Sequence, residues 1–244
     1  MRRGPPWGTR GERVLDRIVQ QLNEVMDHLV RFDVLHIGPV TITSTVINTW
    51  IVMIVLFAAV KLLTRGGFHE KPRGAQVFIE MLVEFLYGLL EGAMGKHGRK
   101  YLWIVGSLFV FILAMNLSWF IPGFVPPTTD IMTTAALAIT TIVLTHVMGI
   151  KEKTFRGYLH NYVSPVVIML PMNILEEIVK PFSLAIRLFG NMFGEKTVVT
   201  ILAVLVPVVL PVPVMMLGLL MGFIQAFIFT LLTCTYLATQ THGH

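Results

Sequence analysis

Three cations stand where lipid makes charge costly. Lys180, Arg187 and Lys196 fall inside an apolar run that extends from about residue 163 to residue 206. Insertion scales charge roughly 2.5–3.5 kcal/mol for such a side chain at a helix centre, so an intramembrane cation marks either a functional path or a buried pair. Asn173, Glu177, Lys180, Ser183 with Leu184, Arg187, Asn191 and Glu195 follow one another at steps of three or four. Such steps lay one polar stripe along a single helix face. Gly190 and Gly194 lie beside the stripe and leave room for another helix to approach. A plainer reading applies to its first turns, where Glu176 or Glu177 pairs with Lys180 and only holds helices together. Lys196, nearer the far end, is placed to snorkel. Arg187 has no acid three or four residues away in either direction. Its partner must come from another helix or another chain.

The elements that carry this stripe are membrane elements. Hydrophobic residues make up 55% of the 244 positions and charged residues only 14%, against about 25% charged in a soluble domain. So little charge cannot cover a compact surface in water, and lipid must do so. The net charge of +5 does not point to nucleic acid, because Lys and Arg cluster in short runs beside apolar segments. Cys234 is the lone cysteine; it closes no internal disulfide, and no Cys/His cluster has metal-ligand spacing. No cofactor is expected. Residues 1–42 read as a polar N-terminal segment, a tail or short surface helix. Arg2, Arg3, Arg10, Arg13 and Arg17 are followed by no signal-type apolar region, and the lack of Ser before Ser44 speaks against a transit peptide.

The remainder, 43–244, reads as one all-α, multi-pass membrane domain. Spans are expected at 43–61, 101–122 and 131–150, each near the 20 residues that a bilayer requires. Residues 74–95 repeat their apolar pairs every four residues while Glu80, Glu84 and Glu91 fall elsewhere. That pattern predicts an amphipathic helix at the interface, not a span. Residues 163–206 and 214–240 predict two arms of a long, strongly tilted helical hairpin, joined through Pro207, Pro211 and Pro213. Pro171 and Pro181 offer places for the first arm to bend. Orientation follows the loop cations. Lys61, Arg65, Lys71, Arg73, Lys96, Arg99 and Lys100, with Lys151, Lys153 and Arg156, face loops at 122–129 and 204–213 that hold none. The first set is expected in the cytoplasm, with the N-terminus outside and the C-terminus cytoplasmic.

At the stripe the residues reach a family. KPFSLAIRLFGNMFGE at 180–195 resembles the signature of subunit a of F-type ATP synthases, and PMNILEEIVKP, GFIQAFIFTLLTCTYLA and PPTTD at 126–130 are similar to that family in the same order. The resemblance covers most of 100–240. It implies a non-catalytic, proton-translocating stator in the bacterial inner membrane. Its partners would be the ring of c subunits, the peripheral-stalk b subunits, membrane lipid and the rest of the complex, with no nucleic acid. Arg187 would be the arginine that faces the ring, with Asn191 one turn along and Gln225 on the last helix in contact with it. Glu195 would relay protons in the outer half-channel. Glu177, Ser183, Asp130 and Tyr236 match positions lining the aqueous paths or their mouths.

This sequence departs from the pattern twice. Glu195 follows Arg187 by eight residues, where the family often has nine. Seven residues before Gln225, where many members carry a His or Glu that partners the carboxylate, stands Gly218. Glu195 is then expected to relay through water. His146 is weighed as a helix-end group in preference to a relay, and the threonines of 133–145 and 230–235 as back-bonding or packing residues. A secondary ion transporter is the alternative reading, but it calls for inverted repeats, and only one hairpin is present.

Overall fold

The computed structural model describes residues 20, 34–37, 40–65, 74–121, 124–163, 170–205 and 209–242. Arg2, Arg3, Arg10, Arg13, Arg17, Lys71, Arg73 and Pro207 lie outside the described residues. Two short strands, β1 (Val34–Ile37) and β2 (Val40–Thr43), pair antiparallel with Val34 opposite Thr43. The segment expected to be a polar tail or surface helix thus ends in a hairpin. Its Val, Ile and Thr residues are β-branched, and such side chains favour the pleated surface. Helix α1 (Ser44–Thr64) starts directly after β2.

The rest is helical, as the sequence implied. Helix α2 (Ala75–Met94) runs into a 3-10 segment, Gly95–Tyr101, and then α3 (Leu102–Leu117). Tight 3-10 turns at Ser118–Phe120 and Pro127–Thr129 lead to α4 (Ile131–Val163). Helices α5 (Leu170–Leu205) and α6 (Pro211–His242) complete the chain. By length and composition four stretches can cross a membrane: Ser44–Thr64, Gly98–Phe120, Ile131–Lys153 and Pro211–Thr241. Helix α5 is long enough and is set apart only by its charges. At 36 residues it spans about 54 Å at 1.5 Å per residue, against about 30 Å of hydrocarbon.

Two details follow from local chemistry. Helix α4 continues thirteen residues beyond the expected end at 150, to Val163. No proline interrupts it until Pro165, and the residue before a proline is where a helix usually stops. Pro181 sits inside α5. Having no N–H, it leaves the Glu177 carbonyl without its helical donor, which membrane helices tolerate where neighbours supply another partner.

The core forms where α1 to α6 meet, around Val52, Leu86, Phe109, Ile112, Ala138, Leu188 and Phe229. Phe109 meets Phe223 edge to face with centroids 6.1 Å apart, a favoured aromatic arrangement. At Gly98 a Cβ would lie 2.9 Å from the Leu90 carbonyl oxygen, so glycine there lets the 3-10 segment fold back on α2. The threonines bond back along their helices as expected: Thr141 to Leu137, Thr230 to Ala226 and Thr233 to Phe229.

Side-chain bonds pair the helix ends. Lys100 donates to Glu152 at one end of the bundle. At the other, Thr45 donates to Asp130 at 2.8 Å and Asn48 to the Val125 carbonyl at 2.9 Å. The first end carries the loop cations. Cysteines at 151–153 are therefore expected to react with a membrane-impermeant maleimide only from the cytoplasmic side, and cysteines at 124–129 only from outside. Labelling in the reverse sense would invert the topology and both proton paths.

Candidate functional site

Helices α5 and α6 lie antiparallel, and two contacts set their register. Gln240 Nε2 donates to Glu177 Oε1 at 2.7 Å, and a Cβ built on Gly218 would fall on the carboxyl of Glu195. Interpolating between these contacts sets Tyr236 level with Lys180, and the Lys180 ammonium does lie 5.3 Å from the Tyr236 ring centroid. The same interpolation sets Gln225 level with Phe189, between Arg187 and Asn191. The resemblance called for a contact between Gln225 and Arg187; Gln225 Nε2 is buried without a hydrogen bond to any described residue, while Arg187 is exposed.

The stripe resolves into two buried polar clusters on either side of Arg187. In the first, Glu177 is the hub. Its Oε1 accepts from Lys180 Nζ at 2.8 Å and from Gln240, and its Oε2 lies 3.4 Å from His146 Nε2 of α4. Lys180 also pairs with Glu176 at 3.2 Å, so both acids the sequence offered are engaged with it. Ser183 lies half-buried one turn further on.

The second cluster lies among α3, α5 and α6. Asn116 Nδ2 donates to the Gly222 carbonyl at 3.0 Å. Asn116 Oδ1, Asn191 Nδ2, Gln225 Nε2 and both Glu195 oxygens are buried without a hydrogen bond to any described residue. An unpaired buried polar atom costs roughly 1–3 kcal/mol, so these five call for partners that the described residues do not supply. Gly218 takes part by having no side chain: the Glu195 carboxyl occupies the space a Cβ would need. Asp130 stands apart from both clusters. It accepts from Thr45 and from the Met132 backbone N–H at 3.0 Å, capping the start of α4 and tying it to α1.

Arg187 itself is exposed, on the outward face of α5. Apolar side chains of α5 are exposed as well: Leu175, Ile178, Val179, Phe182 and Ile186. Among the described residues it forms no hydrogen bond or ion pair, which agrees with a partner from outside the chain. Gly190, one turn along, has nothing within 4 Å of where its Cβ would be. The close approach the glycines allow is not made there by a helix of this chain. Lys196 departs from expectation: it is 7% exposed and enclosed by protein, because the helix packs on its neighbours at that turn.

Sequence reasoning misses or underrates three contributors. It ranks His146 as a helix-end group, yet α4 carries that side chain to Glu177. It gives no weight to Gln240, although Gln240 lies one turn beyond Tyr236 on the same face. Asn116 is a lone amide in an apolar span, which is itself a signal in a membrane helix.

Comparison with known proteins agrees with this layout. The family described as ATP synthase A chain matches residues 46–238. ATP synthase subunit a of Moorella thermoacetica is 55% identical over 219 residues, covering 90% of this chain and all of that protein. ATP synthase subunit a 2 of a Bradyrhizobium species is 38% identical over 202 residues, covering 83% of this chain and 90% of that one. That of Trichlorobacter lovleyi is 38% identical over 223 residues, with 90% and 94% covered. With residues 46–238 matched by the family and relatives of 38–55% identity aligned over most of their length, the chain belongs to the ATP synthase A chain family, subunit a of the F-type enzyme.

Proposed function

We propose that this chain is the stator half of a rotary proton path: two offset, water-filled half-channels separated by Arg187, beside a ring of c subunits. One observation carries the reading. An exposed guanidinium stands on a long apolar helix, between a polar cluster at each end. Glu195 lies eight residues from Arg187 and Glu177 ten, about 12 Å and 15 Å along the helix. Neither cluster needs to reach the other through this chain, which is what torque generation requires.

The chemistry follows from solvation. A ring carboxylate crossing lipid must be protonated, because a bare charge there is too costly. Beside Arg187 the ionised form is favoured, and the proton leaves into one half-channel. The next carboxylate is loaded from the other. Glu195, Asn191, Gln225 and Asn116 line the outer path. Glu177, Ser183, Tyr236 and Lys180 line the inner one, and Asp130 holds the outer mouth. The fixed cation repels hydronium and blocks a direct leak between them. Each proton falling through 100 mV delivers about 2.3 kcal/mol. No nucleotide is hydrolysed by this subunit; it works within the inner membrane, its C-terminus cytoplasmic, held by the peripheral-stalk b subunits.

Disulfide trapping tests which face meets the ring. Single cysteines at Phe182 or Ile186, paired with a cysteine on the outer helix of the c subunit, are expected to cross-link in high yield and stop rotation. A cysteine at Phe57 on α1, also exposed, is expected not to. Cross-linking from Phe57 alone would move the ring to another face and overturn the proposal.

A further inference from the structure

We infer that His146 is the terminal proton carrier of the inner path, passing protons between Glu177 and the cytoplasm; the inference rests on the half-channel reading above. The geometry of one carboxyl group supports it. Glu177 Oε1 is held by two donors, Lys180 at 2.8 Å and Gln240 at 2.7 Å. Oε2 is buried without a hydrogen bond, and His146 Nε2 faces it at 3.4 Å. A proton arriving at this carboxyl therefore goes to Oε2, the oxygen that addresses the imidazole. Exposure rises in the same order. The Glu177 side chain is 15% exposed and that of His146 is 30%, so the imidazole is the less enclosed member of the pair, although its Nδ1 is buried.

The step balances without any other reactant. The Oε2–H bond breaks as a bond to His146 Nε2 forms, leaving a carboxylate beside an imidazolium, and a water then removes the imidazolium proton. Run backwards, the pair gathers protons from the cytoplasm for pumping. Histidine suits the role because imidazole changes charge between pH 5 and 8. Each helix that packs here adds charged or polar groups. Helix α5 brings Glu176 and Lys180, and α6 brings Tyr236 and Gln240. Lys180 bonds the oxygen that His146 does not face. It therefore orders the carboxyl without competing for the imidazole.

The test uses the assembled synthase in inverted membrane vesicles. His146→Gln keeps a donor near Glu177 but cannot carry a proton. It is expected to slow ATP-driven pumping on the order of 10-fold, less than the 10²–10⁴ of a positioned acid or base because water partly substitutes. The loss should deepen as the cytoplasmic-side pH is raised from 6 to 8.5, where free protons are scarce. His146→Ala should be equally slow and recover with imidazole added to the medium, rising with its concentration. A purely structural histidine would not respond to a soluble base. Normal pumping by assembled His146→Gln overturns the inference, as does a slow His146→Ala that imidazole leaves unchanged. Either result leaves the stator reading intact so long as cross-linking still brings Phe182 and Ile186 to the ring.

Discussion

Arg187→Ala is expected to abolish ATP-driven proton pumping and ATP synthesis while the protein still inserts and assembles. Arg187 is exposed on α5 and bonds to no described residue, so its removal leaves no buried partner unsatisfied and the fold has no reason to fail. The ring is where the loss is felt. A nearby cation lowers a carboxylate pKa by roughly 1–3 units, so losing it shrinks the ionised population at the stator by about 10- to 1,000-fold. The barrier between the two water paths goes as well. Vesicles carrying the variant, stripped of the catalytic head, should therefore leak protons passively. Arg187→Lys should fail nearly as badly in coupling, because an ammonium lacks the planar fork and loses its proton more readily in a dry site. A structural arginine predicts the reverse pattern: poor assembly, with normal coupling in whatever fraction assembles. Pumping per assembled complex separates the two, and normal coupling there would sink the stator reading.

Much of this arrangement is legible in the sequence, for a physical reason. In lipid every charge is conspicuous, so the steps from Asn173 to Glu195 expose the working face of α5 directly, and the absence of a nearby acid isolates Arg187. That α5 must tilt or bend to fit a bilayer follows from its length alone. What stays hidden is pairing across helices. Periodicity reports which residues share a face of one helix and says nothing of what lies opposite. His146 on α4 and Gln240 on α6 converge on Glu177 only because three helices cross there. The end of α4 is misplaced when apolarity alone locates it, because a helix stops at a backbone signal. The hairpin of β1 and β2 is masked by the run of arginines before it, which draws attention from the β-branched residues that follow.

Gly218 shows how an absence in a sequence becomes a contact in a structure, and it sharpens the test of Glu195. Glu195→Gln is expected to slow proton flux severalfold or more without disturbing assembly, since it keeps the shape and removes the titrating group. The carboxyl lies where a Cβ of residue 218 would be, so the two positions share one small volume between α5 and α6. Which helix supplies the acid should then matter less than its being there. Glu195→Ala is expected to be as slow as the Gln variant. Adding Gly218→Asp to it restores a carboxyl from the opposite wall, and flux should recover in part. Gly218→Asp alone sets two carboxyls in one space, which forces Glu195 aside and should itself lower flux. Proton uptake by the assembled complex, measured for all four variants, decides among these outcomes. Full pumping by Glu195→Gln would remove Glu195 from the path and pass the role to Glu177 or the Asp130 region. A slow Glu195→Ala that Gly218→Asp does not improve would mean that the carboxyl works from one direction only, from α5, the helix it shares with Asn191.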